Sequence, residues 1–303
     1  GDKVVVPVLG VFSQRLATNV RNQGGQILEM KSKAGSAPTA AELESTLKKE
    51  KDVKLIAVVY NETSTGVTVR QLPEMASIAK DHGALVFADA ISILGGDKLP
   101  VDKWGIDICV TGSQKCMAAP PGLAFMSLSD EAWKAVEKKE TQREYFNLKR
   151  IKEYHQRSET PFTPAVPLFF ALEQAVSIIR REGLDNRISR HTTCAQAFYS
   201  GIEAMGLSIF PTQPYRSNTV IAVNMPQNVE DGKLRGTLRD KYGISIAGGM
   251  GDFKGKMFRI GCMGIVSRRE VVLTLAAVGS ALNDLGMQVD RGIALAAALT
   301  RFT

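Results

Sequence analysis

Six short apolar runs in the first 130 residues constrain this chain more than any other feature. They are VVVPV at 4–8, QILEM at 26–30, LIAVVY at 55–60, LVFAD at 85–89, IDICVT at 106–111 and LAFMSL at 123–128. Their hydrophobicity is continuous rather than alternating, so strands built from them need cover on both faces. Amphipathic stretches between the runs can supply it. TAAELESTLKKE opens on Thr39 with Glu42 three residues on, the pattern of a capping box. QLPEMASIAKDHG has Pro73 near its start and Gly83 as its stop. Strands alternating with helices predict an α/β domain around a largely parallel sheet.

The pattern then changes. Residues 132–157 are charged and read as helix or loop, the proline-rich ETPFTPAVP follows, and LFFALEQAVSIIRREG reads as a strongly apolar helix. After Gly183 the reading is a long helix to about Met205, strands LSIF and TVIAVNM, and a helix from about Val229. Strands ISIA and MFRIG and a helix from Ser267 to Leu285 follow. This divides the chain into a large unit, 1–182, and a smaller C-terminal α+β unit, 183–303. The tail RGIALAAALTRFT reads as a short helix packing on a neighbour, because it is too short to span a bilayer.

Composition narrows the function. At 303 residues, 44% hydrophobic and 23% charged, the chain can bury a sizeable core. No apolar run approaches the ~20 residues that cross a bilayer, so neither a membrane nor a secretory role is expected. The chain starts on GDKVVVPV without Met, which leaves open an upstream segment, including an organellar address signal. Cys109, Cys116, Cys194 and Cys262 form no C-x-x-C pair and have no histidine at ligand spacing, so no metal site is expected and a reducing cytoplasm fits. The net charge of +7 is spread among acids, as in ELESTLKKEKDVK, without the basic stripe of a nucleic-acid binder.

Ligand sites in parallel α/β sheets collect at the carboxyl ends of strands. LIAVVY is followed there by NETSTG, LVFA by Asp89, and IDICV by TGSQK, which ends in Lys115. Hydroxyls, a carboxylate and an amine would face one crevice. A lysine partly withdrawn from water has its charged form disfavoured and can add to a carbonyl. Pyridoxal 5'-phosphate needs such a lysine, a carboxylate for its ring nitrogen, a flat group over its ring and donors around its phosphate. Asp89, 26 residues before Lys115, suits the carboxylate role and could equally serve as a helix N-cap.

NETSTGV, ADAISILGG, TGSQKCMAAPPG and the downstream AGGMGDFKGKMFRIGCMG occur in an order that resembles the class V aminotransferases of fold type I, within them the alanine-glyoxylate and serine-pyruvate (or serine-glyoxylate) branch. The resemblance runs from Gly1 to the last long helix. It implies a homodimer with shared active sites, pyridoxal phosphate as cofactor, and ping-pong transamination of alanine or serine with glyoxylate or pyruvate. Carried over by residue, it makes Lys115 the Schiff-base lysine and Asp89 the partner of the pyridine nitrogen. Ser64 would lie against the phenolic oxygen, Ile91 under the ring, and Phe12 over it where relatives often have Trp. Gln114 resembles a phosphate-side donor, and Thr163 matches a threonine reaching the partner subunit's phosphate site; Thr160 departs from a tyrosine of some relatives. Arg259 in MFRIG would grip the substrate carboxylate through a two-point fork.

Relatives of this kind also carry, upstream of the stretch matching Gly1, a small-residue turn whose amides cradle the phosphate. This chain has no counterpart to it, so the expectation is a longer polypeptide, with a non-catalytic relative as the alternative. A cysteine desulfurase or lyase is the enzymatic rival, but such desulfurases usually place a histidine directly before the lysine, where Gln114 stands here. GGMGDFKG at 248–255 fails as a dinucleotide loop because a strand rather than a helix follows it.

Overall fold

In the computed structural model, residues 1–140 and 143–302 are described; Thr141 and Gln142 of the charged stretch and Thr303 of the tail lie outside the described residues. The apolar runs form the strands expected of them: β1 (Lys3–Val8), β2 (Gln26–Lys31) and β3 (Val53–Val59), then β6 (Leu85–Asp89), β7 (Ile108–Gly112) and β8 (Ala124–Leu128). They make one six-stranded sheet in the order β2-β1-β3-β6-β7-β8. All neighbours are parallel except β8, which runs antiparallel to β7.

Helices α1 (Val11–Asn22), α2 (Ala40–Lys49), α3 (Leu72–Asp81) and the single turn α4 (Val101–Trp104) connect these strands. Thr39 caps α2 as its sequence predicts, its side chain accepting from Glu42 N while the Glu42 carboxylate accepts from Thr39 N at 2.6 Å. Val5, Ile56, Val58, Val86 and Ala88 are buried beneath Leu43, Leu72 and Met75 of α2 and α3. Val4, Val6 and Ala57 pack on the opposite face against Ala17 of α1. Cover on both faces is what their continuous hydrophobicity requires.

The unforeseen element is a two-residue hairpin, β4 (Asn61–Glu62) with β5 (Val67–Thr68), inside NETSTGV. Past β8 come α5 (Asp130–Glu137), α6 (Leu148–Gln156), α7 (Val166–Glu182) and α8 (Leu184–Ala204). A three-stranded sheet then forms in the order β10-β11-β9, from β9 (Val220–Asn224), β10 (Ala247–Gly248) and β11 (Met257–Gly261), with α9 (Asp231–Tyr242) before β10. Helices α10 (Arg268–Asp284) and α11 (Arg291–Leu299) follow. Phe198 and Ile202 of α8, Phe258 of β11 and Val278 and Leu282 of α10 share this second core, together with Ala294 and Ala298 of α11. The neighbour of the C-terminal tail is thus its own chain.

LSIF, expected as a strand, makes only the single bridge Ile209 to Val223, because Pro211 has no N–H with which to extend the pairing. ISIA contributes only its last residue to β10, since Ile244 N donates to Leu238 O and so closes α9. Among the described residues, no helix is long and apolar enough to cross a membrane.

Candidate active site

The carboxyl ends of β3, β6 and β7 lie side by side, and a cleft of about 500 Å³ opens over them. Asp89 ends β6, and Ile91 and Ser92 follow it into the wall; Lys115 and Gln114 enter from the turn after β7. Asn61 and Thr63 come from the hairpin after β3, and Phe12, Arg15 and Asn19 from α1. The sequence-predicted residues Lys115, Asp89, Phe12, Ile91 and Gln114 therefore meet in one place. The Arg15 guanidinium stands 5.2 Å from the Phe12 ring centroid.

Asp89 Oδ1 accepts from Ile91 N at 2.9 Å, the local turn bond that an N-cap reading anticipates. The carboxyl is nonetheless driven above its usual range, because burial outweighs that bond and the nearby Glu62 carboxylate adds repulsion. Among the described residues no cation pairs with it, and the Lys115 amine has neither an ion-pair nor a hydrogen-bond partner. Lys115 and Asp89 thus do not neutralise each other within the chain. A desolvated carboxylate without a cation suits a protonated ring nitrogen, and a half-buried amine without an anion suits an aldehyde. The volume falls within the ~300–1,000 Å³ common for small-ligand sites. These residues fit pyridoxal phosphate.

Ser64 is corrected by the structure. It is fully buried, and its hydroxyl accepts from Val11 N at 2.9 Å and donates to Glu62 Oε1 at 2.5 Å. It does not line the cleft; its neighbour Thr63 does. In the hairpin, residue 64 turns toward α1 and residue 63 toward the cleft.

Glu62 was not singled out from sequence, although it lies inside a recognised motif. Its fully buried carboxylate accepts from Phe12 N at 3.2 Å, Ser13 N at 2.8 Å, Ser13 Oγ at 2.8 Å and Ser64 N at 3.2 Å. These bonds satisfy the orphan amides of the first turn of α1 and set an anion at its positive end. A Cβ at Gly10 would stand 2.3 Å from Ser64 Oγ and 2.9 Å from Glu62 Cδ, so this junction admits only glycine. Phe12 is thereby fixed at the cleft by residues fifty positions away in sequence.

Arg259 on β11 is 9% exposed and forms no ion pair among the described residues. Its Nε and Nη2 donate to Gly248 O at 3.0 and 2.8 Å, and its Nη1 donates to Thr63 O at 2.8 Å. Burial lowers its pKa from the usual arginine value, with Glu62 acting in the opposite direction. A guanidinium has about five N–H donors, so Nη1 and Nη2 each keep one N–H that these bonds do not use. It touches the cleft wall through Thr63. Thr163 is exposed and lies outside this cleft, as does Thr160.

All four cysteines are buried. Burial pushes the Cys116 thiol up to about 12, with Arg187 opposing, and the Cys109 and Cys194 thiols up to about 11. None offers the accessible thiolate that sulfur transfer requires.

Sheet order, crevice and residue set together define a pyridoxal-phosphate enzyme of fold type I. The family model for class V aminotransferases matches residues 1–263, and the chain belongs to that family. It is 42% identical over 299 residues to an uncharacterized aminotransferase of Methanocaldococcus jannaschii, covering 98% of this chain and 77% of the relative. Similarity to a serine-glyoxylate aminotransferase of Methylorubrum extorquens is 30% identity over 307 residues, covering 98% and 76%. The crystal structure of the ureidoglycine-glyoxylate aminotransferase of Bacillus subtilis superposes with a TM-score of 0.91 at 29% identity, covering 99% of this chain and 78% of the other.

Proposed function

We propose that the chain transfers an amino group from a small amino acid, serine or alanine, to a short 2-oxo acid, glyoxylate or pyruvate. The observation that carries this reading is the pair Lys115 and Asp89, which line one cleft with neither charge neutralised by the chain. Glyoxylate is the acceptor in the names of two of the relatives above, which favours it here.

When bound, the cofactor supplies an aldehyde that takes up amines and a ring that accepts the electron pair of a broken Cα–H bond. Lys115 Nζ would hold the cofactor through its aldehyde and, when free, would accept the proton leaving the substrate Cα and give it back as a general acid. Asp89 would hold a proton on the ring nitrogen through its carboxylate. Phe12 and Ile91, which line the cleft, would confine the ring, and Gln114 would donate toward the phosphate. Arg259 orients the substrate carboxylate with its two remaining N–H groups.

Thr163, exposed in one chain, would complete the phosphate site of a second copy, making the working enzyme a homodimer. The 1–182 and 183–303 units would serve as cofactor and substrate domains. Four unpaired thiols suit a reducing cytoplasm.

A matrix of amino donors against 2-oxo acceptors, assayed on the enzyme loaded with pyridoxal phosphate, tests the assignment. Serine or alanine with glyoxylate or pyruvate is expected to give the highest kcat/KM. Preference for long or cationic donors would refute it.

A further inference from the structure

Arg187, on α8, is 1% exposed. A guanidinium that far from water persists only if other groups hold it. Its Nη2 donates to the Cys116 carbonyl at 2.6 Å, one residue past Lys115, and its Nη1 donates to Glu182 Oε2 at 2.9 Å.

Glu182 also accepts from Arg190, Nε to Oε1 at 2.6 Å and Nη2 to Oε2 at 3.0 Å. Arg190 reaches on to the carbonyls of Gly264, at 3.2 Å, and Val266. One carboxylate thus joins two arginines. The first holds the turn bearing Lys115, and the second holds the segment that leaves the Arg259 strand.

The turn needs holding. Ala118, three residues past Lys115, has φ 60°, a left-handed conformation that a Cβ disfavours. The Ala118 Cβ lies 3.2 Å from where a Cβ on Gly264 would be, so the two segments meet at close range.

We infer that Arg187 and Glu182 are positioning residues for Lys115: through the Cys116 carbonyl they fix the backbone from which the amine reaches into the cleft, and they couple that backbone to the segment after Arg259. The inference rests on Lys115 being the cofactor lysine. A buried ion pair can often be replaced by apolar groups without loss of stability, so its worth here lies in placement.

The test is a double-mutant cycle on the pyridoxal-phosphate-loaded enzyme. Arg187→Met, Arg187→Lys and Glu182→Gln are each made with Lys115 present and in a Lys115→Ala background supplied with methylamine as external base. Two quantities are read: the single-turnover rate of α-proton removal, and the pH at which the absorption of the bound cofactor changes.

With Lys115 present, Arg187→Met is expected to slow proton removal about a hundredfold, the effect of a ~1 Å misplacement. It also moves the pH of the absorption change and leaves KM for the amino acid nearly unchanged. Arg187→Lys recovers part of the rate. In the Lys115→Ala background with methylamine, the same substitutions change the rate by no more than about twofold.

Equal losses in both backgrounds, or no change in either quantity with Lys115 present, would overturn the inference. If Arg187→Met does not fold, Arg187→Lys and Glu182→Gln decide by the same comparison. Should Lys115→Ala keep its absorption band and full activity without methylamine, the proposed function fails first and the inference falls with it.

Discussion

Removing the Glu62 carboxylate is the sharpest perturbation that the structure allows outside the chemistry itself. Glu62→Ala strips partners from the buried amides of Ser13 and Ser64 and from the amide of Phe12. A buried donor left unsatisfied costs about 1–3 kcal/mol, and an anion lost from a helix N-terminus about 0.3–2 kcal/mol. Because the Ser13 and Ser64 hydroxyls can rotate to recover part of this, the expected destabilisation is about 4 kcal/mol. Glu62→Gln keeps the shape and one acceptor oxygen, so its cost should be about 1–2 kcal/mol, mainly the lost charge. Urea unfolding of the cofactor-free chain, followed by far-ultraviolet circular dichroism, measures both. The midpoint should fall in the order wild type, Gln, Ala, at an unchanged slope. A Glu62→Ala loss below about 1 kcal/mol, or equal losses for both variants, would refute the capping argument.

Asp89 carries a carboxyl raised by burial, so the cofactor-free fold favours its protonated form. That contribution is complete below the unfolded value of ~3.9 and is lost as pH rises through the folded value. Asp89→Asn should therefore stabilise the cofactor-free chain at neutral pH, converge with wild type near pH 3 and bind the cofactor poorly; equal stability at both pH values would contradict this. His191 is the opposite case: burial lowers its pKa to about 4, so stability present above the unfolded value of 6.5 is lost as pH falls from there through about 4. His191→Gln should remove about 3 kcal/mol of acid sensitivity in that window, seen as an unfolding midpoint that falls less than that of wild type between pH 6.5 and 4. Arg259→Lys should raise KM for amino and 2-oxo acid alike by about tenfold or more with the cofactor's colour intact, since lysine lacks the fork. The four buried thiols should resist a thiol reagent at pH 8 in the folded chain and all react in denaturant.

The strands of the large sheet were legible because each is a run of β-branched and apolar residues closed by a polar residue or turn. Helix starts were legible where capping chemistry is local, as at Thr39 and Ser267, whose side chains accept from Glu42 N and Arg269 N. Pairing in the smaller sheet was harder to read, because LSIF and ISIA carry apolar residues for packing while their amides serve a bridge and a helix end. The alternation of the hairpin decided Thr63 against Ser64, a one-residue question that a motif cannot answer. Nothing local marks Glu62, Glu182 or Arg187. Glu62 and Arg187 act directly on segments distant in sequence, and Glu182 reaches such segments only through Arg187 and Arg190, so only the folded chain shows what they do.

The proposed function turns on a bond between Lys115 Nζ and the cofactor aldehyde. Reduction of the loaded enzyme with borohydride, followed by proteolysis and mass spectrometry, reads that bond directly. The expected result is a single pyridoxyl-phosphate adduct on the peptide containing Lys115, absent from Lys115→Ala. An adduct on another lysine, or none, would contradict the account.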